Sequence, residues 1–177
     1  MIRGVHILFI FSSLFGLISC HHKNEVVVNP SLTREQVTEK LLAANKATIE
    51  FENSQIDKMI DSLHWDMQKT STGLRYQILE AGNGPKATTG KIARFEYEVK
   101  LFSGEMVYTS VKTGPKEFKI GSGGVESGLE EAMLLLRTCD KARLIIPSYL
   151  AHGLSGDQDK IPPKATLFYT LKLIDLK

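Results

Sequence analysis

The chain has 177 residues, of which 42% are apolar and 24% charged, with a formal net charge of +2 and two cysteines. This length suits one domain with an appendage and allows a sizeable core. The composition excludes a collagen-like chain, a disulfide scaffold and a protein with several membrane spans. The nearly balanced charge argues against a nucleic-acid-binding protein, which gains affinity from a basic excess.

The N-terminus has the pattern of a secretory targeting segment. Arg3 precedes an apolar stretch from Val5 to Ile18. At about 14 residues the stretch is too short to span a hydrocarbon core of about 30 Å as a helix, whereas signal peptides use this length. It ends in Leu17-Ile18-Ser19-Cys20, which resembles a bacterial lipobox. The resemblance implies that residues 1–19 are a lipoprotein signal peptide and that Cys20 is acylated, for example with palmitate; ordinary secretory cleavage is the less favoured alternative.

Residues 20–32 are interpreted as a tether from the lipidated Cys20. His21 and His22 are adjacent on this tether, and two such side chains do not form a metal-ligand set. If Cys20 carries lipid, Cys139 has no disulfide partner within the chain. We therefore expect the fold to form without a disulfide.

Residues 33–72 are predicted to form a helical arm. Thr33 and Gln36 have the spacing of a capping box, which marks a helix start. An apolar stripe follows at intervals of three and four residues and changes phase at Asn53-Ser54. Two amphipathic helices or one long kinked helix would fit residues 33–64 equally well. The stripe comprises Val37, Leu41, Ala44, Thr48 and Phe51, then Ile56, Ile60 and Leu63.

The stripe on residues 33–64 allows two interpretations. It could form a homodimer with a second copy, or it could be a spacer that packs on its own domain. About two heptads are present, which is fewer than the three or four that identify a coiled coil. The spacer is therefore the favoured interpretation.

Residues 73–177 are predicted to form an α+β domain. Apolar residues alternate with polar ones at 72–79, 95–101 and 166–173, as expected of half-buried antiparallel strands, and 143–146 is a further strand. One short helix is predicted over 127–136, with acidic residues in its first turn. This pattern predicts a curved antiparallel sheet wrapped on one helix and preceded by the arm.

The familiar nucleotide, metal and nucleophile motifs do not fit this chain. The glycine-rich stretch 121–128 lacks the spacing of a dinucleotide or P-loop fingerprint, and its carboxylates would repel phosphate. No G-x-S-x-G elbow is present, and neither His64 nor His152 has a ligand at metal spacing. An enzyme of this sequence is expected to work without cofactor or metal.

Several motifs of the C-terminal part occur together in the order and spacing of one family. Over residues 73–177 they resemble the FKBP family of peptidyl-prolyl cis-trans isomerases. The most specific are the diproline segment and the Gly-Leu-Glu-Glu helix start. The motifs are Gly73-Leu74-x-Tyr76, Phe95-x-Tyr97, Phe118-Lys119-Ile120-Gly121, Val125-Glu126-Ser127-Gly128-Leu129-Glu130-Glu131, Leu150-Ala151-His152-Gly153 and Ile161-Pro162-Pro163-Lys164-Ala165-Thr166-Leu167.

The resemblance implies an FKBP-like fold and an enzyme that isomerises X-Pro bonds in proline-containing polypeptides. It assigns catalytic roles to Tyr97, His152 and Tyr169. Tyr97 and Tyr169 would be apolar in any core, whereas His152 has no packing reason to occupy its loop. The positions implied to bind substrate are Val107, Tyr108, Phe118, Val125, Glu126, Leu129 and Ile161.

Four positions depart from the family pattern. Val107-Tyr108 replaces Phe-Asp, His152 replaces a tyrosine that donates to substrate, Leu129 replaces a frequent tryptophan, and Lys116 replaces a frequent phenylalanine. These departures bear on the expected catalytic efficiency and macrolide affinity and leave the expected fold unchanged.

The lipobox, arm and domain together resemble the lipid-anchored FKBP-type isomerases of the Bacteroidetes, one branch of which is associated with gliding motility. The expected protein assists the folding of envelope proteins from the outer membrane, facing the periplasm, with the lipid on Cys20 as its membrane attachment. One alternative is an FKBP-fold chaperone or scaffold with little turnover. A weaker alternative is a structural component of an envelope machine.

Overall fold

The computed structural model describes residues 32–177. The predicted signal peptide, Cys20 and the predicted tether as far as residue 31 lie outside the described residues. Within residues 32–177, no helix has the length and hydropathy needed to cross a bilayer.

The arm is a single helix, α1, over Arg34–Ser62. The predicted capping box is present: the Gln36 amide donates to Thr33 Oγ1 at 3.3 Å, and the Thr33 amide donates to Gln36 Oε1 at 2.9 Å. The alternative of two helices is wrong. The helix continues through Asn53 and Ser54, whose side chains donate to backbone carbonyls of the preceding turn instead of capping a second helix.

Seven strands form one antiparallel sheet in the order β1-β2-β6-β7-β3-β4, with β5 paired to β3. The predicted α+β class, with a curved antiparallel sheet, one central helix and a preceding arm, is confirmed. The strands are β1 (Gln68–Lys69), β2 (Arg75–Glu80), β3 (Ile92–Leu101), β4 (Met106–Thr109), β5 (Lys116–Lys119), β6 (Lys141–Ile146) and β7 (Leu167–Leu176).

One face of this sheet forms the core with the short helix α3 over Ser127–Met133. Every second side chain of β3 and β7 is buried, as the alternation predicted. The helix is three residues shorter than expected. Its last turn tightens, because the amides of Leu135 and Leu136 donate to carbonyls three residues back rather than four.

Strands β4 and β5, like the two-residue β1 inside the predicted arm of residues 33–72, were absent from the sequence-based prediction. Each has four residues, too few for alternation to be recognised, and they are separated by a one-turn helix, α2, over Ser110–Thr113. Both strands pair with the same edge of β3, so they act as one interrupted edge strand. The interruption sets Tyr108 and Phe118 against the core.

The two halves of α1 differ in their contacts with the domain. The C-terminal half is held by Asp57, which binds the fully buried Arg75 at 2.6 Å, and by Glu52, which accepts from the Ser148 amide at 2.6 Å and from Thr166 Oγ1 at 2.6 Å. In the N-terminal half, Leu41 is 60% exposed. The spacer interpretation therefore describes the C-terminal half, whereas the N-terminal stripe is uncovered.

Candidate functional site

The ten predicted site residues come from six separate segments and meet beside α3. Tyr97 lies on β3, Val107 on β4 and Tyr169 on β7, and all three are buried. Leu129 of α3 and Ile161 of the β6–β7 loop complete the buried apolar part. Three further predicted residues, Tyr108, Phe118 and Val125, are partly buried and pack against the same core.

The polar end of the site is a hydrogen-bonded cluster of Glu126, His152 and Tyr169, which we call the pocket cluster. Tyr169 donates its hydroxyl to Glu126 Oε1 at 2.8 Å, and His152 Nε2 lies 3.0 Å from the same oxygen. Burial, and then the negative charge and hydrogen bond of Glu126, raise the pKa of the Tyr169 phenol well above its usual value. Tyr169 is therefore a neutral hydrogen-bond donor under physiological conditions.

The aromatic side of the site is formed by one tilted and one edge-on pair of rings. Phe95 packs at 5.6 Å from Tyr97 and at 5.9 Å from Phe118, the latter pair edge to face. The Tyr97 hydroxyl shares a hydrogen bond of 3.2 Å with Thr113 Oγ1. Lys116, at a position where the family often has phenylalanine, places Nζ 5.1 Å from the centre of the Tyr97 ring.

Tyr108 has a role that the resemblance did not predict. Its hydroxyl donates to Asp157, and it also lies 3.2 Å from Asp159 Oδ2, so β4 is tied to the β6–β7 loop. Hydrogen bonding to Asp157, burial and the charges of both carboxylates raise the pKa of Tyr108. The departure from Phe-Asp therefore exchanges a carboxylate on β4 for a hydroxyl that binds a carboxylate on the loop.

Asp157 organises this loop. Its Oδ1 accepts from the amides of Asp159, Lys160 and Ile161, the last at 2.7 Å. Burial alone would raise the pKa of Asp157, but the hydrogen bonds from Tyr108 and these amides lower it to about 2. Sequence reasoning missed Asp157, although an aspartate just before a turn that leads into the diproline segment is a recognisable Asx-turn signal.

A concave feature lies where α1 meets the domain. It is a groove of about 790 Å³ bounded on one side by α1. On the other side it is bounded by loop residues that directly follow His152 and Ile161, including Leu154 and Pro162. Among residues 32–177, no group of three or more His, Cys, Asp or Glu side chains could hold a metal ion.

Comparisons with known proteins agree with this geometry. The family model of the FKBP-type peptidyl-prolyl cis-trans isomerase matches residues 84–174, which is half of the chain. The chain belongs to this family. Among solved structures, FkpA from Escherichia coli matches with a TM-score of 0.60 at 26% identity, covering 83% of this chain and 74% of that one. AtFKBP13 matches with a TM-score of 0.61 at 29% identity, covering 63% and 99%.

Relatives found by sequence are also described as FKBP-type peptidyl-prolyl cis-trans isomerases. A probable FKBP-type peptidyl-prolyl cis-trans isomerase of Haemophilus influenzae is 30% identical over 151 residues, which is 81% of this chain and 62% of that protein. A probable FkpA of Neisseria meningitidis is 37% identical over 112 residues, covering 62% and 40%. The Haemophilus match extends beyond the domain into α1. The chain spans between about a quarter and three fifths of the length of the curated relatives it matches.

Proposed function

We propose that the chain is a peptidyl-prolyl cis-trans isomerase that stabilises the twisted X-Pro amide without a covalent intermediate. The carrying observation is the site itself: a group of buried apolar side chains with a small set of hydrogen-bonding groups at its edge. The family membership supports the same reaction class.

The reaction needs little more than such a pocket. Rotation about the amide breaks resonance, with a barrier of about 18–20 kcal/mol. A twisted amide has less charge separation than a planar one. The buried side chains of Tyr97, Leu129 and Ile161 therefore stabilise the twisted form, relative to the planar form, more than water does. A thousandfold acceleration requires about 4 kcal/mol of this preference.

The direct test is a proline-limited refolding reaction with the purified chain. We expect acceleration that is lost in Tyr169→Ala and reduced in His152→Ala. Circular dichroism and thermal unfolding should show that each variant is folded, so that a loss of rate is not a loss of structure. Refolding at the buffer rate with the folded wild-type chain would refute the proposed activity.

A chaperone or scaffold with little turnover is the second candidate function. It is favoured by the groove beside α1, where Phe51 is 66% and Leu154 79% exposed, and by the loss of the Phe-Asp pair at Val107-Tyr108. This candidate predicts suppression of client aggregation together with unchanged X-Pro exchange rates.

We further propose a lipid-anchored folding factor for envelope proteins, attached through Cys20 to the outer membrane and facing the periplasm, as in the Bacteroidetes proteins it resembles. The support is the Leu17-Ile18-Ser19-Cys20 sequence. Cells given a labelled fatty acid should label the wild-type chain but not Cys20→Ser. Equal labelling of both would exclude Cys20 as the acylation site.

We also propose that two copies of the chain form a homodimer through residues 33–64. Its support is the uncovered stripe on the N-terminal half of α1, where Leu41 and Leu42 are 60% and 65% exposed. Sedimentation equilibrium should report a dimer that Leu41→Glu dissociates. A monomer at every concentration would leave the spacer as the role of the whole arm.

A further inference from the structure

Glu126 brings a largely buried carboxylate to the site, although the family resemblance assigns only the backbone of this position to substrate. Its side chain is 13% exposed. Both of its side-chain partners use one oxygen: Tyr169 and His152 bind Oε1 at 2.8 and 3.0 Å. Oε2 accepts from no group within residues 32–177.

The second oxygen of Glu126, Oε2, is accessible to solvent. In the described part of the chain, no buried side-chain oxygen or nitrogen lacks a hydrogen-bond partner. Since Oε2 has none there, it must reach solvent. A carboxylate oxygen that is held in place and has an open lone pair is a strong acceptor for an ammonium or guanidinium group.

No lysine or arginine of residues 32–177 forms a salt bridge with Glu126, whose one basic partner within 4 Å is His152. Asp157 already accepts from the Tyr108 hydroxyl and from three amides. The two nearby lysines lie over the other wall, where Lys116 sits above the Tyr97 ring and Lys160 above the Tyr108 ring, each at 5.1 Å. Lys160 therefore lies near the carboxylates of Asp157 and Asp159 at the Tyr108 hydroxyl, and neither lysine pairs with Glu126.

We propose that Glu126 is a specificity-determining residue that makes the site prefer prolines next to a lysine or arginine in the client polypeptide. This inference rests on the proposed isomerase function and names the substrate class of the same site. A cationic neighbour of the proline binds Oε2, whereas an acidic neighbour meets a like charge. The preference is about fivefold, the size expected of one partly exposed ion pair.

The test compares peptides that differ only in one residue beside proline. The series place Lys, Leu or Glu immediately before the proline in one set and immediately after it in another. Cis–trans exchange is measured by NMR, so that no coupling protease adds its own specificity. The variant is Glu126→Gln, which keeps the shape and removes the charge. The matched control is Glu39→Gln, which removes the same charge from the exposed N-terminal half of α1.

We expect the Lys-to-Glu rate ratio of the wild-type chain to be about fivefold in at least one set, and to approach one in Glu126→Gln but not in Glu39→Gln. High salt should reduce the wild-type ratio, since the pair is partly solvated. A uniform fall in rate for all peptides would indicate a merely structural role, and an unchanged ratio in Glu126→Gln would overturn the proposal. Absence of exchange catalysis on every peptide would instead refute the proposed isomerase function.

Discussion

Two polar clusters lie at the edges of one core and differ in how completely their groups are satisfied. The pocket cluster leaves Glu126 Oε2 without a partner in residues 32–177. The second, which we call the junction cluster, joins α1 to the domain and is densely bonded. Arg75 donates to Asp57, Asn53 and the Gly73 carbonyl, and both Glu52 oxygens accept. The junction cluster comprises Glu52, Asn53, Asp57, Arg75, Ser148 and Thr166.

The difference separates a structural role from a binding role. A saturated cluster has no capacity for a ligand and rigidly fixes what it connects, here α1 and the loop after β6. A cluster with an open acceptor retains capacity for a substrate group. The comparison predicts that the junction contributes stability and the pocket contributes activity, and the following variants test it in order of expected effect.

The largest effect is expected from Arg75→Met. Arg75 is 1% exposed, and its removal leaves Asp57 Oδ1 without a donor. Asn53 Oδ1 keeps only the Tyr149 hydroxyl at 3.4 Å, whereas Asp57 Oδ2 keeps Lys69 at 3.3 Å. Because Asp57 is 48% exposed and can be rehydrated, the loss falls near the lower end for a broken buried pair, about 3 kcal/mol of unfolding free energy in urea titrations.

Arg94→Met is the matched control for Arg75→Met. Arg94 lies 3.8 Å from Glu117, and their side chains are 46% and 42% exposed. Removing this surface pair should cost less than about 1 kcal/mol. Equal losses in the two variants would mean that the saturation of the junction cluster has no energetic consequence.

The second effect is expected from Glu52→Ala, at about 2 kcal/mol. The substitution removes the acceptor of the Ser148 amide and of the Ser148 and Thr166 hydroxyls, and both residues are buried. Hydrogen exchange at the Ser148 amide should become faster, by a factor that corresponds to a similar loss of free energy.

Glu50→Ala, two residues away on the same helix, provides the comparison for Glu52→Ala. Glu50 lies 3.9 Å from Lys46, and both side chains are largely exposed. Its removal should change stability by less than about 0.5 kcal/mol. If Ser148 exchanges equally in both variants, Glu52 does not hold the loop to α1.

Local patterns in the sequence predicted the long elements, and the reason is visible in particular residues. Strands β3 and β7 have ten residues each, long enough for alternation to be read, and Thr33 with Gln36 fixes the start of α1. Strands β4 and β5 have four residues each, and their pairing depends on β3 rather than on their own pattern.

The sequence predicted which residues form the site but not the hydrogen bonds between them. The family pattern located Tyr97, Leu129 and Tyr169, whose burial follows from the fold. The bond from Tyr108 to Asp157 joins residues 49 positions apart, and neither has a local signal for the other. The role of the Glu126 side chain was also missed, since the resemblance concerned the backbone there. Long-range polar contacts depend on the tertiary structure, which periodicity does not encode.

The smallest effect concerns Tyr108→Phe, a test at the edge of the pocket. Asp157 is satisfied, unlike Glu126, so deleting the Tyr108 hydroxyl should cost stability, about 1 kcal/mol at pH 7. The pKa of Asp157 is lowered to about 2, so it stabilises the fold fully above its unfolded value of 3.8. That contribution is lost as the pH falls from about 4 to about 2, because the unfolded state takes up the proton first.

The pH dependence separates this charge-assisted bond from an ordinary one. The stability difference between wild type and Tyr108→Phe should persist down to about pH 4 and shrink as the pH falls through about 2, where Asp157 of the wild-type chain takes up its proton. Tyr76→Phe is the control, because the Tyr76 hydroxyl donates to the neutral Gln68 amide at 2.5 Å and its loss should not vary over this range. If both stability differences are independent of pH, the Tyr108 hydroxyl does not stabilise the fold through the Asp157 carboxylate. The loop would then be held by the bonds of Asp157 to the backbone amides alone.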